Sequence, residues 1–151
     1  MPRLLFFVVC QKSIIDRDSG ELTMIGTVNG VRFLVPESTP IPPDAVIAYS
    51  WAAICSWLRL PEDEGKTFDQ RLEIRSPSGH LKGFSEIPLV LTTKTYNTNS
   101  VSQTFPGGEA GEYSLVLLLR ESGSSEWKEI ATYPLDVIHE SALGNPPPDI
   151  S

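Results

Sequence analysis

Short runs of β-branched, aromatic and aliphatic residues recur along this chain, each closed by a Gly, Pro, Asn or Asp turn. They are Leu4–Cys10, Leu22–Leu34, Trp51–Leu60, Phe68–Arg75, Ile87–Tyr96, Tyr113–Arg120 and Trp127–Ile138. Runs this short, spaced this way and bounded by turn residues suit strands rather than helices. Several in one chain point to a single all-β sandwich. The reading is an all-β, immunoglobulin-like antiparallel β-sandwich of about seven to nine strands with Greek-key connections.

Individual segments sharpen that reading. Leu4–Ile15 is a first strand, and Asp16-Arg17-Asp18-Ser19-Gly20 is the turn after it. Leu22–Val28 resumes the ribbon, Asn29-Gly30 marks a turn or bulge, and Val31–Val35 continues it or starts a short edge strand. The prolines between Pro36 and Pro43 forbid a central strand and suit a crossing between sheets. Asp44 to Trp57 is ambiguous. Its alanines suit a short helical turn near Asp44–Ala48, and its β-branched and aromatic content suits a strand from about Ser50 to Leu60.

Phe68–Ser76 alternates Leu72 and Ile74 with Arg71, Glu73 and Arg75, the pattern of a half-buried strand, and Ser76-Pro77-Ser78-Gly79 closes it as a turn. Ile87–Thr95 is β-rich, with Pro88 placing it at an edge or a strand start, and Asn97–Phe105 is an alternating outer strand. Gly111-Glu112-Tyr113 has the form of a tyrosine corner, in which a phenol hydroxyl bonds backbone across the turn into a strand. A hairpin through Ser122–Ser125 joins the last two strands. One domain over residues 1–140 is expected, with a Pro-rich tail over 141–151.

Composition bounds the partners. A chain of 151 residues buries about two thirds of its unfolded surface and needs no metal or disulfide to fold. Net charge −7 and the lack of clustered Lys and Arg argue against nucleic acid and anionic membrane surfaces. Leu4–Cys10 is short for a signal peptide and meets Gln11 and Lys12 without a small-residue cleavage site, so it reads as a buried strand. Cys10 and Cys55 sit inside apolar runs and are expected as free thiols in a cytoplasmic protein.

Leu4–Cys10, Leu22-x-x-Ile25-Gly26-x-x-x-Gly30, Ser76-Pro77-x-Gly79 and Gly111-Glu112-Tyr113, in that order, resemble an uncharacterised bacterial family of short β-sandwich proteins, a domain of unknown function. The resemblance covers roughly residues 3 to 138 and departs in the longer Pro36–Ala53 connector and the Pro-rich tail. It implies the fold and a bacterial, cytosolic origin, and carries over no functional residue.

Chemistry-bearing residues are sparse. His80 lies beside the Ser-Pro-Ser-Gly turn and His139 ends the last strand, with no Gly-x-Ser-x-Gly elbow to supply a nucleophile. Asp16, Asp18 and Glu21 bracket a turn but lack an EF-hand's glycine spacing and closing glutamate. Glu62-Asp63-Glu64 reads as a solvated loop, and Gly107-Gly108 lies between strands with no Lys-Ser/Thr after it. Trp51, Trp57 and Trp127 with Tyr49 and Tyr133 form either a core or an aromatic platform, and Trp51, Trp57 and Tyr49 share strand parity.

No catalytic, cofactor or metal site is therefore assigned. The expectation is a non-catalytic protein-interaction or assembly module that uses an edge strand or the C-terminal tail toward a partner or a second copy. The alternative is a ligand-binding sandwich, for carbohydrate or Ca²⁺-dependent ligands, using the Asp16–Glu21 loop or exposed tryptophans.

Overall fold

The chain was studied as a computed structural model, which describes residues 1–36 and 40–141. The described strands are β1 (Arg3–Ile15), β2 (Leu22–Thr27), β3 (Gly30–Val35), β4 (Ile47–Leu58), β5 (Thr67–Arg75), β6 (Leu81–Val90), β7 (Thr95–Phe105), β8 (Gly111–Glu121) and β9 (Lys128–Ser141). They form two sheets, ordered β2-β1-β4-β7 and β3-β9-β8-β5-β6. All pairings are antiparallel except β3 with β9.

That order is an immunoglobulin-like sandwich with one added strand. β2 and β3 are consecutive yet lie in different sheets, and the chain crosses between them at Val28-Asn29. They correspond to an A strand that switches sheets, β4 to B, β5 to C, β7 to E, β8 to F and β9 to G. In the standard arrangement A pairs with B. Here β1 lies between β2 and β4 and bonds to both.

Side-chain alternation fills the space between the sheets. Val9, Trp51, Ala53, Cys55, Trp57 and Phe105 from one sheet meet Phe68, Leu72, Tyr113, Leu115, Leu117, Leu119, Leu135 and Val137 from the other. Trp51–Phe105 and Phe105–Tyr113 are edge-to-face ring pairs with centroids 5.9 Å and 5.3 Å apart. An antibody-type domain has its second cysteine two residues after the corner tyrosine. Leu115 occupies that position, and Cys10 and Cys55 are buried free thiols, so apolar packing takes the place of an inter-sheet disulfide.

One polar tie crosses this core. Gln70 Oε1 on β5 accepts from Trp57 Nε1 on β4 at 2.8 Å and from Thr98 Oγ1 on β7 at 2.9 Å, and all three residues are buried.

The distal β1–β2 hairpin covers the outer face of its own sheet. Asn99 Nδ2 on β7 donates to Ser13 Oγ at 2.7 Å, although β4 separates β1 from β7. Leu22 packs against the cluster of Cys10, Ala52 and Ile54. The hairpin therefore bends over β4, with Gly26 at φ +67° in the region that glycine tolerates best. This explains why β4 is buried on both faces from Trp51 to Trp57.

Several sequence expectations need correction. Asp44–Ala48 forms no helical turn: a turn at Pro43-Asp44, with Ala45 N bonded to Pro42 O at 3.0 Å, leads directly into a strand that begins at Ile47. The strand expected over Ile87–Thr95 instead runs Leu81–Val90, and Thr95 opens the next one. Leu81–Glu86 escaped notice because an edge strand with Gly83 and Ser85 offers little apolar alternation. Of the two readings offered for Val31–Val35, the short edge strand holds, and it belongs to the opposite sheet. The Pro-rich tail over 142–151 lies outside the described residues.

Candidate functional site

Two places on the sandwich combine concavity with unusual chemistry. The first is the mouth between the two sheets where β6 and β7 are edge strands, each paired on one side only, to β5 and β4. The groove there has a volume of about 490 Å³. Its floor is Trp51, Leu72 and Ile74, and its walls include Phe84 and Ile87 from β6 and Ser100, Val101 and Ser102 from β7. Phe84 and Val101 are 57% and 62% exposed, and their pairing with Glu73 and Ala52 sets them on the outer faces of the two sheets, so Ile87, Ser100 and Ser102 are the side chains that turn inward. Trp51 is held by its Nε1 donating to Thr104 O at 2.8 Å, which fixes the indole against the groove. Pro88 removes one N–H from β6, whereas β7 has no proline across its length. Among the described residues, Lys82 is the one charged residue in the lining.

The second place is the end of the sandwich where the β5–β6 turn meets the corner loop before β8. Tyr113 is fully buried, its hydroxyl donating to Glu109 O at 2.9 Å and accepting from Glu109 N at 3.2 Å, as the Gly-Glu-Tyr pattern leads one to expect. Burial raises the phenol's pKa above its ordinary value. Gly108 packs so closely that a Cβ would lie 2.3 Å from Pro42 O. Both histidines reach this loop: His139 Nε2 lies 2.7 Å from Gly107 O, and His80 joins through Ser78.

Ser78 Oγ donates to Glu109 Oε2 at 2.9 Å and lies 2.8 Å from His80 Nδ1. A nucleophilic triad places the imidazole between the hydroxyl and the carboxylate, so that the base can take the hydroxyl proton. Here the hydroxyl sits in the middle and its proton goes to the carboxylate, which leaves Nδ1 as the donor to Oγ. The cluster ties a hairpin turn to the corner loop, and sequence reading had no signal linking residues thirty apart.

The other candidates resolve structurally. Asp16 Oδ1 accepts from Asp18 N, Ser19 N and Ser19 Oγ, a local turn that lowers the carboxyl's pKa chiefly through the Ser19 amide. Among the described residues no group of three His, Cys, Asp or Glu is placed to hold a metal ion. Asp63 is buried, its Oδ2 accepting from Leu60 N at 3.0 Å and its Oδ1 lying 3.0 Å from the Met1 amino nitrogen, so the Glu62-Asp63-Glu64 loop is only partly solvated.

Trp51 and Trp57 are in the core, with Tyr49 packed against it. Tyr133 OH donates to Val28 O at 2.7 Å. Trp127 lies on the outer face of the larger sheet with Arg120 4.3 Å from its ring centroid, so a guanidinium already occupies one face of the indole. Arg71 stacks 3.9 Å over Phe84 on the same face and pairs with Glu73 and Glu86, each at 2.9 Å.

Comparison with known proteins adds little to this geometry. No family model matches the chain, and no curated protein matches it. Among solved structures, the chain is similar to an immunoglobulin-like protein from Pseudomonas aeruginosa. That similarity covers 91% of this chain and 96% of the other, at 16% identity and a TM-score of 0.38. Among the described residues, no helix is long and apolar enough to cross a membrane.

Proposed function

We propose that this chain is a non-catalytic interaction module that receives an extended protein segment in the groove between β6 and β7. The observation that carries the reading is the groove itself: two edge strands, each paired on one side only among the described residues, flank an apolar floor of Trp51, Leu72 and Ile74 with Ile87 on its wall. Edge strands supply main-chain hydrogen bonds to an added strand, and pockets between them receive every second side chain. The polar cluster at Ser78, His80 and Glu109 supports the same reading indirectly, because its bonds are spent on holding loops.

Carbohydrate binding through tryptophan loses Trp51 and Trp57 to the core and one face of Trp127 to Arg120. A photo-crosslinking amino acid at Ser102, which pairs with Trp51 and faces the groove, compared with one at Leu34 on the far edge strand β3, tests the proposal in cells that express the native protein. Leu34 is 74% exposed, so accessibility alone favours the control site. A discrete adduct at Ser102 that is absent at Leu34 supports the groove. Equal labelling at both, or none at Ser102, overturns it.

A further inference from the structure

We infer that Lys82 makes this groove selective for an extended segment that carries a carboxylate side chain near its N-terminal end. This rests on the groove being the docking site, and it adds the chemistry and direction of the occupant.

Lys82 is half-buried and, among the described residues, is the one charged residue in a lining otherwise apolar or hydroxyl- and amide-bearing. Its Nζ reaches Pro43 O at 3.5 Å, and among the described residues no carboxylate forms an ion pair with it. Glu109 lines the neighbouring hollow with Lys82, but its carboxylate is engaged by Ser78 Oγ. A protein of net charge −7 thus presents a single cation, unmatched by an anion, at one end of its groove. A carboxylate brought there by a partner meets attraction in a setting less screened than open surface. The same net charge makes a second copy of this chain a poor occupant, because two such molecules repel.

Direction follows from the strands. β7 is the edge without proline, so it is the strand that an added segment extends. It runs toward Thr104 and Pro106, which lie at the Lys82 end, where β6 begins and the corner loop packs on Pro42 and Pro43. Antiparallel pairing is the more stable per residue. An antiparallel segment starts where β7 ends, which places its N-terminal residues beside Lys82.

The test is panning of a phage-displayed random heptapeptide library on the full chain, followed by fluorescence anisotropy with the selected peptides as synthetic probes. Each probe is made with Glu, Gln or Lys at its first position, and with the same Glu moved to its last. The proteins are wild type, Lys82→Gln, Lys82→Glu and Ser102→Trp, the last filling the groove beside Trp51, with urea midpoints measured to verify folding.

The inference expects N-terminal Glu to bind roughly five- to tenfold more tightly than Gln, an advantage that shrinks with salt. Lys82→Gln should abolish the preference and Lys82→Glu should reverse it toward Lys, while Ser102→Trp weakens every probe. A preference that survives both Lys82 substitutions, or one that follows the C-terminal Glu, overturns this inference alone. Binding unaffected by Ser102→Trp, or a panning that yields no binder, overturns the groove reading and this inference with it.

Discussion

Replacing Gln70 by Leu should be among the most damaging changes in the core, although it exchanges a polar side chain for an apolar one of similar size. One oxygen, Gln70 Oε1, satisfies two donors from the opposite sheet, Trp57 Nε1 at 2.8 Å and Thr98 Oγ1 at 2.9 Å. Trp57 is fully buried and Thr98 is 5% exposed, so neither finds water when the acceptor is gone. Each orphaned buried donor costs about 1–3 kcal/mol, which sets a range of about 2–6 kcal/mol for the pair. The Thr98 hydroxyl can rotate, and it already interacts with the Cys55 thiol, so its share falls at the low end. The indole N–H is fixed by packing and keeps its full penalty. Added apolar burial from Leu offsets part, giving an expected net loss of about 3 kcal/mol. Urea unfolding followed by tryptophan fluorescence reads this directly. Thr98→Val removes one donor along with its need, so the double variant should be less destabilised than the sum of the singles by about 1 kcal/mol. A loss under about 1 kcal/mol for Gln70→Leu, or strict additivity with Thr98→Val, would refute the reasoning.

Other consequences follow from the same geometry. Tyr113→Phe should cost about 1 kcal/mol by freeing the Glu109 carbonyl, and an unchanged urea midpoint would remove the corner bond from the account. Gly108→Ala should cost about 1–3 kcal/mol, because the new Cβ meets Pro42 O and the loop must move, and thermal unfolding measures it. Burial pushes the Cys55 thiol up to about 12 from an ordinary 9.0. A pKa raised on folding means that stability is complete below pH 9 and is lost as pH climbs toward 12, so wild type should lose roughly 2 kcal/mol more than Cys55→Ala between pH 8 and pH 10.5. Urea midpoints at the two pH values check this, and equal losses would contradict the burial. Both cysteines should resist a thiol reagent in the native protein at pH 8 and react fully in urea.

Much of the scaffold was legible because its signals are local. Gly111-Glu112-Tyr113 needs only a strand start to form its corner, and the prolines at 36 to 43 and at 88 exclude central strands wherever they fall. Phe68–Arg75 alternates because only one of its faces meets the core. The misreadings arose where tertiary context overrode the local pattern. The alanines at 45, 48, 52 and 53 suit a helix in isolation, yet Ala52 and Ala53 lie on opposite faces of a strand covered on both sides, where small residues fit. Leu81–Glu86 lacks alternation because its inward positions, Gly83 and Ser85, carry no apolar side chain. The groove and the Ser78–His80–Glu109 cluster join residues far apart in sequence, so no spacing could announce them. Trp51 was singled out by its residue type, but only the sheet pairing shows that it forms the groove floor.

The account's central claim is that ligands enter between β6 and β7, and amide chemical-shift mapping tests it most directly. The ¹⁵N-labelled protein is titrated with the tightest heptapeptide from the panning. Shifts and slowed amide exchange should concentrate along β7 from Asn99 to Thr104 and around Lys82 and Phe84, with the Trp51 indole resonance moving and Leu34 silent. Shifts confined to the outer face around Trp127 and Arg120, or to the Asp16–Glu21 turn, would contradict the claim.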